Sequence, residues 1–186
     1  AYRALSNADI ALVNGGGIRK QIEAGDITLD DIYSVHPFGN TMCVIRVTGQ
    51  QVLDALEWGA RAVPSENGGF LQVSGLTYEI HTGIASSAEK DENGMFTRVS
   101  GEYRVKNVMV GGQPLELDKT YTLASHNYML LGHGDGYTMF DGCEVLGEDM
   151  MVDNQVLITY ITTTLGGVVG EQYANPYGDG RIVAVE

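Results

Sequence analysis

Cysteine is scarce in this 186-residue chain. Only Cys43 and Cys143 occur, with no C-x-x-C pair, so motifs built on adjacent thiols are excluded. Cys43 lies in the apolar run 42–45 and reads as a small buried hydrophobe. Cys143 follows a glycine in a loop-like stretch, and pairing between the two is left open. Two thiols at no special spacing do not identify a redox compartment. Basic residues are also few, 11 Lys and Arg against 24 Asp and Glu, a net charge of -13. A field of that sign repels nucleic acid and anionic membrane, so any phosphate site must be a local basic exception. No apolar run approaches the ~18 residues of a membrane-spanning helix. The first four residues show no basic segment leading into an apolar one, and thus no visible signal peptide. The chain starts without Met, as a fragment of something longer would.

Apolar residues make up 44% and aromatics 8%, enough for one ordinary domain with a real interior. Residues 1–7 read as the end of a helix and 9–13 as a short buried strand running into three glycines. Thr28 and Asp31 mark the start of a short helix that ends before Pro37. Residues 40–47 are β-branched and apolar, hence a strand. Thr48 caps a helix from Gly49 to about Ala62, with Val52, Leu53, Leu56 and Ala60 on one face. Strands are expected at 70–73, 76–81 and 120–125, and a strand-like stretch at 96–110 turns near Ser100-Gly101. Gly111-Gly112 suits a hairpin turn. The polar stretch 82–93 is expected as a surface loop, 154–165 as a helix and 181–185 as a closing strand. Strands and helices mix without regular βαβ alternation, which predicts an α+β fold with a mixed sheet. No internal repeat or linker is visible.

Four short segments can carry chemistry. Asn14-Gly15-Gly16-Gly17-Ile18-Arg19 bares backbone N–H groups and adds a planar cation suited to phosphate. A tight turn with a surface arginine is the plainer alternative. It matches neither a Walker loop nor a dinucleotide fingerprint. His36-Pro37-Phe38-Gly39-Asn40 holds a phenylalanine that either projects into a cleft or tucks under a loop. Gly68-Gly69-Phe70-Leu71-Gln72-Val73-Ser74-Gly75 allows close backbone approach. Asn127-Tyr128, followed by Gly132-His133-Gly134-Asp135-Gly136-Tyr137, offers a ring and an acceptor between glycines, unless Asp135 merely bonds its own turn. Together they describe a nucleotide clamp: Phe38 and Tyr128 around a base, Asp135 on the ribose, Arg19 on the phosphate.

These motifs, in this order, resemble those of the 5'-nucleotidase C-terminal domain, over nearly the whole span from Asp9 to Tyr137. The resemblance implies a substrate-binding role for Asn14, Gly16, Gly17, Arg19, Phe38, Gly69, Tyr128 and Asp135. It implies that Asn14 lies near the base and that Gly69 to Gln72 lines the same cleft. Two departures stand out. The family often reads Gly-Gly-Asp-Gly-Tyr where this chain has Gly132 to Tyr137, one residue longer after Tyr128. The family also draws an arginine from a helix just upstream of the first strand, where only Arg3 stands here. In that family hydrolysis belongs to an N-terminal metallophosphoesterase domain with two divalent metal ions, which this chain does not contain. His36, His81, His126 and His133 form no ligand pattern. The first three are expected to be structural, and His133 is a candidate for lining the cleft. No cofactor and no catalytic residue are therefore expected in this chain. The implied partners are a nucleotide or nucleoside and that N-terminal domain, with no nucleic acid and no membrane span. The implied location is extracellular, cell-wall-attached or periplasmic. The competing expectation is a stand-alone nucleotide-binding or surface interaction module without catalysis.

Overall fold

The described residues, 1–175 and 178–186 of this computed structural model, form the following elements in chain order. They are α1 (Tyr2–Ser6), β1 (Ile10–Asn14), α2 (Leu29–Val35), β2 (Met42–Thr48), α3 (Gly49–Ala60), β3 (Leu71–Ser74), β4 (Leu76–His81), β5 (Ala88–Lys90) and β6 (Phe96–Val99). Then come β7 (Val105–Val110), β8 (Gln113–Pro114), β9 (Thr120–His126), α4 (Asn127–Leu130), β10 (Glu144–Gly147), α5 (Asp153–Thr159) and β11 (Ile182–Val185). One mixed sheet has the order β10-β2-β9-β1-β3, a second the order β11-β4-β7-β8, and β5 pairs with β6. The fold is α+β, as the unalternating pattern of elements predicts.

Side chains alternate across a strand, so an unbroken apolar run must be covered on both faces. Ile10, Leu12, Cys43, Ile45, Val47 and Leu123 face one core, where α3 packs them together with Leu76, Tyr78, Ile80 and Val105 of the second sheet. Ala11, Met42, Val44 and Ala124 face the other way, onto Tyr2 of α1 and Val156 of α5. Helix α3 is therefore the wedge between the sheets. Its capping box is complete: Thr48 Oγ1 accepts from the Gln51 N–H at 3.3 Å, and Gln51 Oε1 accepts from the Thr48 N–H at 2.9 Å. Thr28 and Asp31 form the same box on α2.

Two expectations are corrected. Stretch 82–93 is not all loop: Ala88–Lys90 pairs antiparallel with β6, and Arg98 Nε meets Glu89 Oε2 at 2.7 Å across the pair. The strand is exposed on its outer side, so its polarity hid it. The helix expected at 154–165 is α-helical only to Thr159 and continues as a π turn, Tyr160–Thr164. Thr162 and Thr163 hydroxyls donate back to the Ile158 and Thr159 carbonyls there, a local competition that loosens the α ladder. Both cysteines are free thiols. The glycines of the β7–β8 turn have φ of 57° and 78°, as a type I′ hairpin requires. No helix among the described residues is long and apolar enough to cross a membrane.

Removing the Thr48 cap with Thr48→Ala is expected to cost about 1 kcal/mol of stability, read as a lower urea midpoint at unchanged slope. An unmoved midpoint would show that the cap does not hold α3.

Candidate functional site

Strand pairing brings the four motifs together. β1 and β9 are parallel, with Ile10 opposite Leu123 and Ala11 opposite Ala124, so both strands end on the same side at Asn14 and His126. β3 is antiparallel to β1, with Asn14 opposite Leu71, which carries residues 68–70 to that side. β2 is antiparallel to β9, with Met42 opposite His126, which carries residues 38–41 there too. The loops then lock to one another. Gly15 N–H donates to Phe70 O at 2.7 Å, and Gly16 N–H donates to Gly68 O at 2.8 Å. A Cβ on Gly16 would stand 3.1 Å from the Gly68 backbone, so bare backbone is needed for this approach. Asn127 Oδ1 accepts from the Thr41 N–H at 3.0 Å and Asp153 N–H donates to Asn40 O at 2.8 Å, fixing the segment ahead of β2.

The result is a cavity of about 520 Å³ lined by Asn14, Gly16, Gly17, Arg19, Phe38, Asn40, Gly68, Tyr128 and Asp135. Phe38 and Tyr128 are respectively 59% and 42% exposed, so both rings are open to a ligand rather than spent in the core. The Arg19 guanidinium sits 5.8 Å from the Phe38 ring centre, and its Nη1 donates to Gly16 O at 3.0 Å. Tyr128 is placed by α4 and by a close fit to Gly134: a Cβ there would fall 2.3 Å from a ring carbon of Tyr128. Asp135 is held from three directions. Asn14 Nδ2 donates to its Oδ2 at 2.7 Å, the Tyr128 hydroxyl to its Oδ1 at 3.1 Å, and Trp58 Nε1 of α3 to its backbone carbonyl at 2.9 Å. The loop carries left-handed backbone at His133 (φ 53°) and Asp135 (φ 54°).

Of the residues singled out in the sequence, Asn14, Gly16, Gly17, Arg19, Phe38, Tyr128 and Asp135 line this cavity. Gly69 is not among the lining residues; it sits behind Asp135, where a Cβ would stand 3.2 Å from the Asp135 Cβ, while Gly68 takes the lining position. His133 is also outside the lining and lies 3.7 Å from Asp141. Arg3 is bonded to Ser74 at 3.1 Å, at the opposite end of the β1–β3 pair, and does not reach the cavity. Sequence reasoning missed Asn40, Gly68, Trp58 and the part played by His126. Asn40 and Gly68 fall inside the singled-out motifs, so their signal was present; Trp58 and His126 act through tertiary contacts only.

His126 Nε2 lies 3.0 Å from Asn14 Oδ1 in the interior behind the cavity. Burial lowers its pKa from 6.5 to about 4, with His36 nearby adding to the effect. Tyr128 is shifted up, first by burial and then by the Asp135 carboxylate. Among the described residues no group of three or more His, Cys, Asp or Glu side chains is placed to hold a metal ion.

Comparison with known proteins follows the same lines. The family described as 5'-nucleotidase, C-terminal domain matches residues 1–142. The trifunctional nucleotide phosphoesterase protein YfkN of Bacillus subtilis is 35% identical over 180 residues, 97% of this chain and 11% of its own length. The 5'-nucleotidase of Vibrio cholerae is 32% identical over 161 residues, 87% of this chain and 25% of its own. The crystal structure of a 5'-nucleotidase precursor from Thermus thermophilus aligns with TM-score 0.79 at 32% identity, over 98% of this chain and 32% of that one. Fold and motif order thus define a domain of nucleotidase type, and the chain belongs to the 5'-nucleotidase C-terminal domain family. It spans a quarter or less of the length of these two curated relatives.

A histidine with a depressed pKa refuses a proton that the unfolded chain accepts. Its contribution to stability is therefore lost as pH falls from 6.5 toward about 4, and recovered above that window. His126→Gln is expected to flatten this part of the stability–pH profile, and the native imidazole to show no NMR titration near neutral pH. Titration of His126 near pH 6.5 would contradict its burial.

Proposed function

We propose that this chain is the nucleotide-binding domain of a metal-dependent 5'-nucleotidase that converts nucleoside monophosphates to nucleoside and phosphate. One observation supports it above the others: residues from four separate segments converge on a cavity of about 520 Å³. That volume falls within the ~300–1,000 Å³ common for small-molecule sites. The cavity offers two exposed rings, one cation and one doubly anchored carboxylate. A base between Phe38 and Tyr128 gains offset stacking worth roughly 0.5–1.5 kcal/mol beyond area burial. The free lone pairs of Asp135 accept from ribose hydroxyls. Arg19 supplies a guanidinium for the phosphate in a chain that is otherwise strongly acidic.

Hydrolysis is assigned to an N-terminal metallophosphoesterase domain of the same polypeptide, where two divalent ions would clamp the attacking and leaving oxygens. We assign the handling of the substrate to this chain. Its roles are to bind, orient and select. The place of action we propose is outside the cytoplasm: extracellular, attached to the cell wall or periplasmic.

Titration calorimetry with AMP and adenosine tests the proposal. Arg19→Ala is expected to weaken AMP by roughly tenfold or more, the scale of a hydrogen bond to a charged group, and adenosine far less. Equal losses for both ligands would take Arg19 off the phosphate. Gly134→Ala is expected to displace the Tyr128 ring and weaken both ligands together. Wild-type affinity for both in Gly134→Ala would mean that Tyr128 does not stack on the base.

A further inference from the structure

We propose that His126, acting through Asn14, is the positioning residue that makes this cavity selective for a ligand with two adjacent hydroxyls. The inference rests on the proposed role of Asp135 toward the ribose and extends it to a side chain that touches no ligand.

His126 closes β9, is 3% exposed, and is not among the cavity-lining residues. Asn14 is 5% exposed yet reaches the cavity wall. Its amide lies between an imidazole nitrogen at 3.0 Å and a carboxylate oxygen at 2.7 Å. A carboxylate only accepts, so the amide must turn its NH₂ to Asp135 and its carbonyl to His126. That carbonyl also only accepts, so the imidazole must carry its proton on Nε2. The order of donors is then fixed along the whole chain: His126 to Asn14, Asn14 to Asp135 Oδ2, and Tyr128 to Asp135 Oδ1.

This order has a consequence at the cavity. Each oxygen of Asp135 already accepts one hydrogen bond from the protein and keeps capacity for another. Two neighbouring oxygens with one free acceptor position each match two O–H groups on adjacent carbons. If the Asn14 amide could turn over, its carbonyl would face the carboxylate and repel it. Asp135 would then leave the position set by Trp58 and Tyr128. His126 prevents that turn. The opposite ring nitrogen, Nδ1, is buried and has no hydrogen-bond partner among the described residues, as the Nε2–H form leaves it. The Tyr2 ring stands edge-on to the imidazole at 6.4 Å and confines it from the far side.

The test uses the 186-residue chain with adenosine, 2'-deoxyadenosine and 3'-deoxyadenosine, followed by NMR titration. The native chain is expected to prefer adenosine. His126→Leu is expected to lower that preference roughly tenfold, the scale of a lost buried donor, while the deoxy ligands bind as before. His126→Gln, whose amide can still donate to Asn14, is expected to keep the preference. Uniform weakening of all three ligands by His126→Leu would mean support of the fold alone and would overturn the proposal. Imidazole nitrogen shifts give a second readout that needs no variant: protonated Nε2 is expected, and protonated Nδ1 would also overturn it. Asp135→Asn, which tolerates the left-handed backbone, separates the two levels. If Asp135→Asn loses the preference but His126→Leu keeps it, the role of His126 fails and that of Asp135 stands. If Asp135→Asn keeps it, or the native chain shows none, the underlying assignment fails.

Discussion

Parallel pairing of β1 with β9 is the constraint on which everything else in this molecule rests. Parallel neighbours end on the same side, and here their last residues are Asn14 and His126. Two antiparallel partners, β3 and β2, then begin on that side, so four loops far apart in sequence meet. A slip of one residue in this pairing would turn Asn14 to the other face of the sheet. The slip is opposed by apolar burial on both faces: Leu12 and Leu123 against α3, Ala11 and Ala124 against α1 and α5.

Much of this was legible from residue order alone, for reasons that differ by element. The strand at the start, the capped helix α3 and the hairpin glycines carry local signals: an apolar run, a threonine three residues before a glutamine, a glycine pair. The loop residues of the cavity were legible only from four motifs in order and their resemblance to the family's, because a glycine loop, a loop phenylalanine or a turn aspartate alone reads equally as plain structure. The exposed strand β5 was not, since alternation with one wet face and three residues leaves no pattern. Gly69 and Gly68 could not be told apart, because which of two adjacent glycines meets a cavity depends on the path of β3. Trp58 and His126 were opaque for a deeper reason. A tryptophan on an apolar helix face and a histidine at a strand end look like core, and only the folded chain shows what their polar atoms touch.

Charge is distributed unevenly in a way that bears on the proposed ligand. With 24 acidic and 11 basic residues, the surface field opposes an incoming anion. Arg19 is the one cation among the cavity-lining residues, and its contact with Phe38 places the positive charge beside a ring. The local site therefore separates two tasks. In the function proposed, aromatic faces and Asp135 address the neutral part of a nucleotide, and the guanidinium addresses the charged part. His126 stays uncharged behind them, so the proposed diol contact gains no competing positive charge.

Trp58 belongs to the most deeply packed helix of the domain, and its indole N–H fixes a loop carbonyl whose residue sits at φ 54°. The conformational cost of shaping that loop is met when the interior assembles, before any guest arrives. A guest entering such a floor immobilises few torsions, and little of its contact energy is diverted into ordering the host.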